Sequence, residues 1–425
     1  MDFNAVLTKR INDHPDKPAI IFKDSSITFK ELRDASSKVG GSLKGLGVSK
    51  SDKVAIFLAN NLEYVYSFLG VFLLRATCVP LDFMLTEEEV INFINHSESK
   101  ILIAQEKKGV DFRSIKSRCP LLSKIIIFNK SEAYAENYFL SWEDFLKTEL
   151  NLAEIELNEK DFSAIFYTSG STGHPKGVLL NYGHLDNPIE CFDYFLHPKD
   201  KDILLCAGVP FSHLGGLDHL LLSLATGMTL VLMERFHPLE FLKLIEKYKV
   251  TIFCIVPSMY VAVLSLKEYD KFDLSSLRYA VVFGAPSSPV LLERFHKGCP
   301  NAFLLNGWGM TETSAPNSYL PTGTNTKEIP NTGKFMPGTE AKIVDDAGNA
   351  LPDEKEGELW IKGKCVMSGY YKEPGITREV LTDDGWLKTG DIVRRDSRGR
   401  YSIVGRKKEM IKVGGEIVFS QRLKK

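Results

Sequence analysis

The stretch Tyr167-Thr168-Ser169-Gly170-Ser171-Thr172-Gly173-His174-Pro175-Lys176-Gly177 crowds hydroxyls, glycines and one lysine into a single loop. Glycines let backbone N–H groups turn toward an anion, hydroxyls add donors, and lysine adds a point charge. This combination suits a polyphosphate, with Thr168, Ser169, Ser171, Thr172 and Lys176 as the expected donors and Gly170 and Gly173 as the turning points. The spacing excludes the commonest phosphate loop, which needs Gly, four residues, then Gly-Lys-Ser/Thr. Pro175 stands where that second glycine should be, and Lys176 is followed by Gly177. The loop therefore grips phosphate in another way.

Three further clusters follow in order: Pro210-Phe211-Ser212-His213-Leu214-Gly215-Gly216, Asn306-Gly307-Trp308-Gly309-Met310-Thr311-Glu312-Thr313, and Trp386-Leu387-Lys388-Thr389-Gly390-Asp391. With the phosphate loop, this series resembles the signature of the adenylate-forming superfamily of acyl-CoA synthetases, luciferases and peptide-synthetase adenylation domains. The motif order is most similar to that of long- and medium-chain fatty-acid–CoA ligases, from Val79-Pro80-Leu81-Asp82 to Gly415.

The resemblance implies ATP, magnesium ion and coenzyme A as cofactors and a small-molecule carboxylic acid as substrate. It implies that Trp308 flanks adenine, Thr311 meets the α-phosphate and Glu312 holds magnesium. An aromatic face suits a base, a hydroxyl suits phosphate, and a carboxylate suits a hard cation. Many relatives carry tyrosine where this chain has Trp308. The resemblance further implies that Asp391 binds the ribose hydroxyls, with Arg406 beside it, and that Asn306, Gly307 and Gly309 belong to the nucleotide site. Gly284-Ala285-Pro286 resembles the loop bordering the acyl tunnel and adenine, and His213, Leu214 and Gly215 the acyl pocket. Catalysis is expected from Thr168, Lys176, Thr311 and Glu312. Amino-acid-activating relatives place aspartate directly after a phenylalanine in the His213 motif. Here Ser212 follows Phe211, and Asp218 lies too far along. A fatty or other apolar acid is expected instead.

The match runs through Lys408, at the family's hinge position, to Phe419 and then fails. The expectation is a truncated small C-terminal domain, which in relatives supplies a lysine for adenylation, and hence a chain in which the thioester step is in doubt. A non-catalytic ATP- or acyl-binding protein and another adenylate-forming module are the competing readings.

In the chain as a whole 53 basic residues balance 54 acidic ones, which excludes a dedicated nucleic-acid binder. The seven cysteines are scattered without a CxxC pair, which fits a reducing, cytoplasmic compartment. The N-terminus lacks the basic and apolar regions of a signal peptide. The apolar stretch Leu217–Met233, interrupted by His219 and Gly227, is short for a membrane span. Peripheral membrane contact and oligomeric state are left open.

Elements that must position the motifs alternate between strand-like and helix-like, which predicts an α/β fold. Val54–Leu58, Ile101–Ile103, Ile125–Phe128, Val250–Val256 and Leu277–Phe283 read as strands; Glu63–Leu74 and Pro238–Lys247 read as helices. Thr86 and Glu89 form a predicted capping box. After Thr332 dense turns (Asp345–Gly348, Asp383–Gly385, Asp396–Gly399) predict antiparallel β structure. The predicted division is an α/β body over 1–331, a β subdomain over 332–404 and a stub over 405–425. The resemblance supplies the detail: two α/β subdomains with mixed sheets plus a β-barrel-like subdomain.

Overall fold

In the computed structural model the described residues are 2–129, 131, 134–152, 155–168, 176–285, 287–321, 331–413 and 416–419. Contacts divide the chain into two units: Met1–Ile189 with Pro198–His237, and Glu190–His197 with Pro238–Lys425. The predicted α/β architecture with mixed sheets is what forms.

The first unit holds a seven-stranded sheet ordered Phe139–Ser141, Lys124–Phe128, Ile101–Gln105, Lys53–Phe57, Thr77–Pro80, Phe162–Thr168 and Lys176–Asn181. All neighbours are parallel except the last pair, an antiparallel hairpin. Runs such as Ile101–Ala104 and Ile125–Ile127 are wholly buried. A parallel sheet is covered on both faces, so its strands read as continuous apolar runs rather than alternating ones. The helix Glu87–Ser97 starts at the predicted capping box: the Glu89 N–H donates to Thr86 Oγ1, and the Thr86 N–H donates to Glu89 Oε2 at 2.8 Å.

A second set of strands in this unit runs Ile203–Cys206, Thr229–Leu232, Pro18–Phe22 and Ser25–Thr28. The apolar stretch flagged in the sequence resolves into the helix Leu214–Thr226 and the strand Thr229–Leu232, separated by Gly227 at φ +80°. Only glycine adopts such a left-handed helix end without strain. Among the described residues no helix is long and apolar enough to cross a membrane.

The second unit carries the parallel strands Ile252–Ile255, Tyr279–Val282 and Phe303–Trp308. Beyond Trp308 the pairing turns antiparallel, in the order Ser318–Pro321, Asn331–Phe335, Tyr401–Arg406, Leu387–Arg395, Glu356–Gly363 and Thr339–Val344. The dense turns of the sequence connect these strands. At one of them the Gly399 N–H donates to Asp396 O at 2.8 Å. Ile343, Leu359, Ile361, Val393 and Tyr401 form the local core, and Trp308 packs into it.

Candidate functional site: a polar cavity and two held carboxylates

Two residues of the phosphate-loop motif, Thr168 and Lys176, lie on the antiparallel strand pair at the edge of the first unit's sheet. Thr168 ends one strand, Lys176 begins the next, and the two face each other in register. Both are half-buried. The hairpin thus brings the two motif residues that carry a hydroxyl and an ammonium side by side. Ser169, Gly170, Ser171, Thr172 and Gly173 lie outside the described residues, as does Pro286.

In the second unit a cavity of about 430 Å³ is lined by Gly284, Ala285, Asn306, Gly307, Trp308, Gly309, Asp391, Arg406 and Lys408, each named from the sequence. Four strands contribute to it. Gly284 and Ala285 follow Tyr279–Val282, Asn306–Trp308 close the strand Phe303–Trp308, and Asp391 and Arg406 pair across neighbouring antiparallel strands. Ser287, Thr332, Ile403 and Gly405 line it too and were not singled out. Their residue types are common in loops and strands, so no local signal marks them. The Ser287 Oγ is buried and has no hydrogen-bond partner among the described residues, an orphaned polar atom of the kind a ligand satisfies.

Asp391 is 4% exposed, yet both carboxylate oxygens are engaged. The Trp308 indole N–H donates to Oδ2 at 2.9 Å, and Arg406 Nε donates to Oδ1 at 2.7 Å. Its neighbours hold the backbone: the Asp391 N–H donates to Thr389 Oγ1, which itself donates to Leu359 O. A carboxylate oxygen has two lone pairs and can accept from more than one donor at a time. Trp308 is 7% exposed and lies edge-to-face on Phe335, with centroids 5.4 Å apart. A Cβ on Gly307 would come within 2.4 Å of Tyr319 Cε1, so the glycine there answers to packing.

Thr311 and Glu312 sit on a single turn of 3-10 helix just beyond this strand, Thr311–Thr313. Glu312 is 8% exposed. The Tyr370 hydroxyl donates to its Oε1 at 2.9 Å, and the Met367 N–H donates to its backbone O at 2.9 Å. Burial, and then the adjoining Glu312, push the Tyr370 phenol up and keep it protonated. No described lysine, arginine or histidine forms an ion pair with Glu312. Buried carboxylates are normally paired or coordinate a metal. Among the described residues no three of His, Cys, Asp or Glu gather as a metal site. Magnesium held by one carboxylate plus substrate phosphates needs no such cage, so these residues fit it. Tyr370 was missed because its sequence neighbours carry none of the chemistry that marks the motifs.

His213 stands before the helix Leu214–Thr226, in the first unit, and its side chain is 58% exposed. Its Nε2–H donates to Asp82 Oδ2 at 2.8 Å. That bond, helped by the Met84 N–H, holds the Asp82 carboxyl below the usual aspartate range. Leu214 is buried, while Gly215 is partly exposed. A Cβ on Gly216 would stand 2.0 Å from Pro210 O, so Gly216 is set by the close approach of the helix start to its own loop. Asp82 belongs to the segment Val79-Pro80-Leu81-Asp82, where the motif match begins, but only the structure pairs it with His213.

The AMP-binding enzyme family matches residues 7–371, and the chain belongs to it. A 4-coumarate–CoA ligase of Narcissus pseudonarcissus is 31% identical over 418 residues, covering 96% of this chain and 76% of its own length. The solved structure of an anthranilate CoA ligase in complex with anthranoyl-AMP superposes with a TM-score of 0.90 at 25% identity, over 100% of this chain and 81% of that one. That of O-succinylbenzoate coenzyme A synthetase from Bacillus subtilis, in complex with ATP and magnesium ion, gives 0.84 at 27% identity, over 97% and 82%. These likenesses place the chain among the adenylate-forming acid–CoA ligases, enzymes that use ATP, magnesium ion and coenzyme A. These relatives carry the names of aromatic acids, where the motif order had suggested fatty-acid ligases.

Proposed function

We propose that this chain activates an apolar carboxylic acid with ATP and transfers the acyl group to coenzyme A. The observation that carries the reading is the cavity of the second unit, where residues from three separate motifs line one volume. In the first step a carboxylate oxygen attacks the α-phosphorus, the bond to the bridging oxygen breaks, and pyrophosphate leaves. In the second the coenzyme A thiol attacks the acyl carbon, loses its proton, and AMP leaves.

In this reading Thr168, Ser169, Ser171, Thr172 and Lys176 take the phosphates, and Gly170 and Gly173 let the loop close on them. Thr311 donates to the α-phosphate. Glu312 would hold magnesium, which neutralises phosphate charge as the two anions approach. Asp391 accepts from the ribose hydroxyls in an orientation fixed by Trp308 and Arg406. Gly284, Ala285, Pro286, Asn306, Gly307, Trp308 and Gly309 border the base, and Lys408 is the hinge. His213, Leu214 and Gly215 border the acyl group.

For the acid, the names of the relatives favour an aryl carboxylate, and the motif order favours a fatty one. Pyrophosphate–ATP exchange with coumarate, anthranilate, benzoate, octanoate and palmitate decides. Exchange with an aryl acid alone supports the first choice, and exchange with octanoate or palmitate alone supports the second. A protein that binds ATP but exchanges with none refutes the enzymatic reading for this chain and leaves the binding one.

A further inference from the structure

We infer that Tyr370 is a positioning residue for the metal-binding carboxylate, acting by fixing one oxygen of Glu312 and leaving the other for magnesium. This rests on the reading of Glu312 as the magnesium ligand. Tyr370 lies fifty-eight residues beyond Glu312 and reaches it through a buried hydroxyl-to-carboxylate bond of 2.9 Å. The same loop grips the Glu312 backbone through the Met367 N–H. The loop is in turn tied down: the Tyr370 N–H donates to Thr377 Oγ1, whose hydroxyl donates to Glu373 O. Thr377 belongs to the short helix Pro374–Val380.

The arrangement has a consequence for the metal. A free glutamate has three side-chain torsions and two equivalent oxygens, so it samples both one- and two-oxygen coordination. A phenol O–H on Oε1 removes that equivalence. It also leaves the charge of the carboxylate uncompensated, because a neutral donor stabilises an anion without cancelling it. A donor of this kind orients a ligand while keeping its affinity for a cation, and loss of such supporting bonds typically costs about 10- to 100-fold in metal affinity. A lysine or arginine at the same place would orient Glu312 equally well and repel magnesium.

The test is Tyr370→Phe, which keeps the ring and deletes only the donor. Manganese binding to the protein with a non-hydrolysable ATP analogue, read from the free-ion EPR signal, should weaken about tenfold or more. The magnesium dependence of pyrophosphate exchange should shift by the same factor, while the rate at saturating magnesium stays near that of the parent. Glu312→Gln, measured alongside, separates the two layers. If Glu312→Gln weakens manganese binding and Tyr370→Phe does not, the inference fails and the reading of Glu312 stands. If neither variant weakens it, both fall. Thr377→Val retains the phenol and loosens its anchor. It should shift metal binding in the same direction by a smaller factor, and it carries the test if Tyr370→Phe does not fold. An unchanged metal affinity in folded Thr377→Val, with Glu312→Gln weakened, also overturns the inference.

Discussion

Replacing Trp308 with phenylalanine separates the two things this side chain does. Its ring packs among Phe335, Ile343, Leu359 and Tyr401, and its indole N–H donates to Asp391 Oδ2 at 2.9 Å. Phenylalanine keeps an aromatic ring in the cluster and loses the donor. Removing a hydrogen bond to a buried ionised group costs roughly 1.5–3 kcal/mol. The smaller ring adds about 1 kcal/mol for lost packing. Arg406 still serves Oδ1, but its side chain is 45% exposed and pays for its contact against solvent, so it does not make up the difference. The sum is a destabilisation of about 3 kcal/mol and, because Asp391 loses its fixed orientation, a weakened grip on the nucleotide. The assay is a double-mutant cycle with Asp391→Asn, read both from denaturant unfolding and from calorimetric titration with AMP. A coupling of about 1.5 kcal/mol or more in unfolding is expected. Effects that add to within about 0.5 kcal/mol would show that the indole acts only through its bulk and that the Trp308–Asp391 bond carries no energy.

Two further outcomes follow from the first unit. Gly216→Ala puts a methyl 2.0 Å from Pro210 O, where only backbone can yield, so it should lower the unfolding free energy, read from denaturant titration, by about 1–3 kcal/mol; unchanged stability would show that the loop relaxes freely. Asp218 is buried, its Oδ1 has no hydrogen-bond partner among the described residues, and desolvation raises its pKa well above the usual value. The folded state therefore holds a proton that the unfolded chain releases above about pH 3.9. Its contribution is intact below that pH and is lost as pH rises toward the folded value. Asp218→Asn has no proton to lose, so it should gain stability over the parent from pH 4 to pH 7, with the difference closing at pH 4; a difference independent of pH would refute the assignment.

What the sequence disclosed depended on whether the relevant physics was local. The capping box at Thr86 and Glu89 needed only residues three apart, and it formed as read. Buried parallel strands announced themselves as apolar runs, and the antiparallel part through Asp- and Gly-rich turns. Asp391 and Trp308 were legible as motif residues, but the bond between them spans 83 positions and depends on strand pairing that no window of sequence contains. The same holds for Asp82 with His213 and for Tyr370 with Glu312. At Gly216 and Gly307 packing, which the sequence does not display, also restricts the residue. A glycine inside a functional motif invites a reading in terms of substrate approach, while at both positions a Cβ would strike the protein itself.

Asp391 and Glu312, two of the buried carboxylates of the second unit, are held in different ways. Asp391 meets an arginine and an indole, so its charge is balanced within the protein and its orientation is set from both oxygens. Such a group can accept from neutral hydroxyls at little electrostatic cost, since its own desolvation is already offset. Glu312 meets one neutral phenol and, among the described residues, no cation. Burying a charge without an ionic partner is costly in general, and a cation arriving there would offset that deficit. A site for a metal–nucleotide complex needs this asymmetry: an acceptor already neutralised where the sugar binds, and an anion still in deficit where the metal binds. If the deficit is real, Glu312→Gln should stabilise the metal-free protein or leave it unchanged, since it removes a buried charge without removing its shape. Asp391→Asn should destabilise it, because Arg406 then loses its counter-charge. Opposite signs in one denaturation experiment without magnesium would distinguish the two roles, and equal destabilisation by both would mean that Glu312 is held for structure alone.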